Sequence, residues 1–100
     1  MDAAPRRDDV IALLKAHRAE IDAFGVRSLA LFGSVARDEA RPDSDIDVLV
    51  DFGGPAHFKS YMHLKFLLED LTGRKVDLVT RKGLHRGLRE SVEAEALLVA

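Results

Sequence analysis

The residues in this chain that could do chemistry are three aspartates, a glycine and a serine. Asp45 and Asp47 lie in Asp45-Ile46-Asp47-Val48-Leu49-Val50-Asp51-Phe52, a strictly alternating run. Side chains on a strand point to opposite faces in turn. A strand here puts both aspartates on one face and sends Ile46, Val48, Val50 and Phe52 into a core. Two carboxylates on a rigid face, at an assumed ~5 Å and an effective dielectric of ~20, repel by roughly 3 kcal/mol. A bound divalent cation turns that repulsion into attraction, and hard oxygen ligands suit Mg²⁺. Upstream, Gly33-Ser34 follows the apolar run Leu29-Ala30-Leu31-Phe32. Glycine allows a sharp turn and close approach of the backbone to a ligand. Amides at the start of a helix, with the Ser34 hydroxyl, make an anion site. An anion cradle beside a carboxylate pair points to a metal-bound nucleoside triphosphate. A third carboxylate, Asp77, alternates with Val76 and Leu78 in Lys75-Val76-Asp77-Leu78-Val79-Thr80. It joins the other two if this strand pairs beside the second; otherwise it is a polar residue on an exposed face.

The elements that must position these groups are legible in order. Residues 1–7 read as a loose tail, and Asp8 or Asp9 can cap the first helix. Val10, Leu13, Leu14, His17, Ile21 and Phe24 follow at helical spacing, and Gly25 ends that helix. His17 falls on the apolar stripe and reads as a packed or boundary residue. Val26 to Phe32 is the first strand, Ser34 to about Glu39 a short helix, and Asp45 to Phe52 the second strand. Between them Pro42 biases Arg41 away from helix and makes a turn. His57 to Leu71 forms a helix with two apolar stripes: Leu64, Leu67, Leu68 and Leu71, then Phe58, Met62 and Phe66, with Tyr61 between. A surface helix needs one stripe. The second implies deeper burial or a patch for another protein. Lys75 to Thr80 is the third strand. Leu84, Leu88 and Val92 mark a last helix, and Ala96 to Ala100 is an apolar tail that packs back on the sheet or meets a partner.

One hundred residues make a single domain, 1–100, large enough for a modest core. The chain is 47% hydrophobic and 32% charged, an ordinary globular balance. A formal net charge of −2 argues against direct nucleic-acid binding. There is no cysteine, which excludes disulfides, thiolate zinc sites and cysteine nucleophiles and fits a cytoplasmic location. No apolar stretch spans a bilayer, and the N-terminus is not a signal peptide. His57, His63 and His85 show no metal-binding spacing.

G-S, ten residues, then D-x-D resembles the nucleotidyltransferases of the DNA polymerase beta superfamily. The fuller run GSVARDEARPDSDIDVLVDF is similar to the minimal nucleotidyltransferases, the MNT-type antitoxins of prokaryotes. A lone D-x-D is more readily a solvated strand edge; the upstream G-S and the downstream Asp77 make the motif specific. The resemblance implies an α+β fold, a small mixed sheet with helices packed on it. It implies Mg²⁺-dependent transfer of a nucleotide, two ions acting together, with ATP as substrate. Asp45, Asp47 and Asp77 are then the metal-binding and catalytic residues. Gly33 and Ser34 would grip the outgoing phosphates, and Arg37 would add charge there or remain a solvated helix residue.

The resemblance also implies a partner: the HEPN-domain toxin of a type VII-like toxin–antitoxin pair, silenced by AMP placed on a toxin tyrosine. Two alternatives stand beside this one. A non-catalytic antitoxin would silence the toxin by contact, and a different transferase would modify a small molecule. Members of the family commonly carry glycine where this chain has Asp38, which exchanges a flexible residue for a charge near the phosphate site.

Overall fold

The computed structural model describes residues 4–54, 57–81, 83, 92 and 96–99. Its frame is a four-stranded sheet in the order β3-β2-β1-β4. The strands are β1 (Ser28–Phe32), β2 (Ile46–Asp51), β3 (Val76–Thr80) and β4 (Leu97–Leu98). β1 pairs antiparallel with β2 and β4, while β2 and β3 run parallel. A parallel neighbour needs a crossover, and α4 (Phe58–Thr72) supplies it. The sheet is therefore mixed, as the family resemblance implies. The apolar tail packs back on the sheet: β4 pairs with β1, and Val99 is buried.

The alternation of β2 works as read. Ile46, Val48 and Val50 are buried on one face beneath α4, which contributes Leu64 and Leu68 to the same cluster. Each such side chain stabilises the fold by about 1.5–3 kcal/mol relative to exposure. Gly73, at φ 65°, ends α4 in the left-handed conformation, and its N–H donates to the Glu69 carbonyl at 2.8 Å. The last helix expected around Leu84 and Leu88 lies outside the described residues.

Two expectations change at the N-terminal end. The single first helix is two, α1 (Arg7–Ala16) and α2 (Arg18–Asp22), broken at His17 with φ −110° and ψ 23°. No Pro or Gly marks the break, so spacing alone reads straight through it. The His17 ring bonds Glu20 Oε1 at 3.0 Å and sits half-buried. Within the expected loose tail, Arg7 begins α1 and Ala4 and Pro5 are half-buried; residues 1–3 lie outside the described residues.

Nor do Asp8 and Asp9 cap α1. Both lie inside its first turn, and the N-cap residue, Arg6, makes no side-chain cap. The cap comes from across the chain: Asp38 Oδ1 accepts the Arg7 N–H at 3.1 Å. Asp38 itself sits at φ 58°, beyond the short helix α3 (Gly33–Ala36). That region favours Gly and, among other residues, Asn and Asp. The aspartate thus replaces glycine's freedom with a carboxylate that satisfies an open helix amide. Asp38→Ala is expected to lower unfolding free energy by about 1–2 kcal/mol, through the lost cap and the left-handed strain. Asp38→Asn keeps both features and should stay within about 0.5 kcal/mol of wild type. Urea midpoints measure both; an alanine variant as stable as wild type removes the cross-chain cap.

Candidate functional site

β2 and β3 set the site. In their parallel register Asp47 stands opposite Asp77, as Ile46 stands opposite Val76 and Val48 opposite Leu78. Registered partners on neighbouring strands share a face, with strands about 4.8 Å apart. Ile46, Val48, Val76 and Leu78 are buried on the core face. Asp47 and Asp77 therefore share the other face, Asp47 half-buried and Asp77 exposed at the edge of the sheet. Asp45 precedes the first residue of β2 and is exposed. On its other side Asp47 pairs with Phe32, the last residue of β1.

Gly33 comes next in the chain and turns it over the carboxylate. Its φ is 74°, and a Cβ added there would collide with Asp47 Oδ2 and lie 3.0 Å from Asp47 Cγ. Glycine is expected to let the backbone approach a ligand; the close approach seen here is to the Asp47 side chain. Ser34, half-buried, follows in α3. Arg37, the C-cap of α3, is exposed and holds Glu39 Oε2 with its Nε at 3.3 Å. Gly33 thus borders the Asp47 carboxylate and Ser34 follows it in the chain, while Arg37 is ion-paired with a neighbouring glutamate. A cavity of about 240 Å³ is lined by Ala4, Val10, Leu13, Ile46 and Arg74. It touches the core-facing side of β2 through Ile46 and holds none of the candidate aspartates.

One residue near the site carries no sequence signal beyond a polar atom between two apolar stripes. Tyr61, on α4, donates its hydroxyl to the carbonyl of Leu78, next to Asp77. Burial, then the nearby Asp77 charge, holds this phenol above its ordinary range, so it stays a donor. Glu69 Oε2 accepts the Val76 N–H at 3.0 Å. Together they tie α4 to the strand that bears Asp77.

Among the described residues no three carboxylate or imidazole groups stand close enough to enclose a metal ion unaided. Mg²⁺ in phosphate chemistry takes one or two carboxylates and fills its shell with substrate phosphate and water. The registered Asp47 and Asp77 pair fits that demand in charge and donor type.

A mixed sheet crossed by one helix, with a glycine turn over a strand aspartate, is the fold of a minimal nucleotidyltransferase. A solved structure described by that phrase superposes with a TM-score of 0.82 at 39% identity, covering 97% of this chain and 95% of that one. The chain belongs to the nucleotidyltransferase domain family, whose model matches residues 13–99. It is 39% identical over 93 residues to the protein adenylyltransferase MntA of Thermococcus cleftensis, covering 92% of this chain and 94% of that protein. The fold also matches, with a TM-score of 0.66 at 18% identity, a chain of a tri-AMPylated Shewanella oneidensis HEPN toxin in complex with MNT antitoxin. That match covers 90% of this chain and 71% of the other. Among the described residues no helix is long and apolar enough to cross a membrane.

Proposed function

We propose that this chain is the antitoxin of a type VII-like HEPN/MNT pair, transferring AMP from ATP to a tyrosine hydroxyl of its HEPN-domain toxin with Mg²⁺. The observation that carries the proposal is the registered Asp47 and Asp77 pair, with Gly33 turned over Asp47. The relative named a protein adenylyltransferase and the AMP-bearing toxin complex of the same fold support the choice of group and acceptor.

The roles follow from position. Asp47, with Asp45 before it, would hold Mg²⁺ on the triphosphate, and Asp77 would share a second ion. Bound there, the ions neutralise charge on the attacking and leaving oxygens. Asp77, on the exposed edge strand, would orient the incoming hydroxyl and take its proton. The tyrosine oxygen then bonds the α-phosphorus, and the bond from that phosphorus to pyrophosphate breaks. Ser34 and the Gly33 amide would receive the pyrophosphate, with Arg37 adding charge once it leaves Glu39.

The test is the mass of the toxin after incubation with this chain, ATP and Mg²⁺. A gain of one or more AMP units on a tyrosine, with toxin activity lost, is the expected result. Loss of toxin activity without a mass gain replaces this reading with silencing by contact, which the exposed Phe58 and Phe66 favour.

A further inference from the structure

The two registered carboxylates are unequally supported by the sheet. Asp47 lies between two strands, opposite Phe32 of β1 and Asp77 of β3. Asp77 lies on β3, which among the described residues is the edge of the sheet and has β2 as its neighbour. An edge strand opens locally more readily than a central one. A carboxylate that must keep its place opposite another therefore gains from support off the sheet.

The main chain of β3 shows where that support comes from. The Lys75 carbonyl accepts the Ile46 N–H at 2.9 Å, and the Arg81 N–H donates to the Val50 carbonyl at 2.9 Å. Backbone groups alternate sides along a strand, so residues 75, 77, 79 and 81 turn theirs to β2. Val76 and Leu78 turn theirs to the open edge, and there α4 meets them. Glu69 Oε2 accepts the Val76 N–H at 3.0 Å, and the Tyr61 hydroxyl donates to the Leu78 carbonyl. The residue before Asp77 and the residue after it are each bonded to a side chain of one helix. Tyr61 and Glu69 are both half-buried, where a hydrogen bond is stronger than in open water. Between them along α4 lie Leu64 and Leu68, fully buried, which fix the helix to the core. The Glu69 bond spans 7 positions and belongs to the turn from α4 into β3. The Tyr61 bond spans 17 and depends on α4 lying along the strand.

We propose that Tyr61 and Glu69 are positioning residues, which clamp β3 on both sides of Asp77 and hold its carboxylate in register with Asp47. This rests on the proposed AMP transfer and names what keeps its edge-strand carboxylate in place. Tyr61→Phe removes the hydroxyl alone. Amide hydrogen exchange, read by NMR on the chain without nucleotide, should show the Asp77 amide exchanging about tenfold faster, the net contribution of one hydrogen bond. The amides of β1 should be unchanged. Transfer should fall about tenfold in kcat, a partial displacement of a reacting group, with the KM for ATP within about twofold. Glu69→Ala should repeat both effects. Glu69→Gln, which keeps an oxygen for the Val76 N–H, should restore wild-type exchange and transfer. If Tyr61→Phe does not fold, the two Glu69 variants decide.

Unchanged exchange at Asp77 in the folded variants overturns the clamp. An equal rise across β1 also overturns it, because the two bonds are then general supports of the fold. Faster exchange at Asp77 with undiminished kcat overturns it too. A wild-type chain that transfers no AMP defeats the transfer reading instead, and the exchange measurement still decides the clamp.

Discussion

Asp47→Asn is expected to reduce AMP transfer at least ~1,000-fold while leaving a folded protein. The loss follows from position. Asp47 is the residue on which the registered Asp77 and the Gly33 turn converge. Asparagine keeps the shape and one oxygen acceptor but removes the charge that the proposed Mg²⁺ site would need. A thousandfold corresponds to about 4 kcal/mol of barrier, within reach of a lost charge contact in a metal-assisted step. Stability should move the other way or not at all, because the variant removes one of two like charges on adjacent strands. Solvent at the exposed Asp77 screens that gain, so a change within about 1 kcal/mol is expected. Labelled ATP and toxin report transfer, and a thermal melt reports the fold. Undiminished transfer discards Asp47 as a catalytic group; a variant that does not fold makes it structural.

How much of this is legible in the sequence alone depends on the range of the interaction. The alternation of β2 predicts its buried face because strand periodicity is local. Leu64 and Leu68 were on the expected stripe for the same reason. The face of Asp77 could be read only conditionally, since pairing of β3 with β2 is a choice among neighbours that no single strand specifies. The cap of α1 was not readable. Its donor and acceptor, Arg7 and Asp38, are 31 positions apart, and Asp8 and Asp9 satisfy every local rule for the same role. Helical spacing puts Tyr61 on α4, yet its bond to Leu78 depends on how α4 lies over an edge strand. The second stripe was visible, whereas its exposure was not, because spacing shows which residues share a side and not what covers them.

Gly33→Ala should separate the site from the fold, provided it is compared with Gly73→Ala. Both glycines hold positive φ, 74° and 65°. Alanine at either should cost about 1–2 kcal/mol in backbone strain, a fall in Tm of several degrees for a domain of this size. Their surroundings differ. A Cβ on Gly73 meets nothing within 4 Å, whereas one on Gly33 drives into the Asp47 carboxylate. Relief at Gly33 requires that carboxylate or the turn to shift. A displacement of ~1 Å in a reacting geometry costs on the order of 100-fold in rate. Gly33→Ala is therefore expected to lose about 100-fold in transfer at a stability matching Gly73→Ala, which should transfer at nearly the wild-type rate well below its Tm. Equal losses of transfer in the two would assign the effect to stability alone. Full transfer by Gly33→Ala would show that the approach of this turn to Asp47 has no part in the reaction.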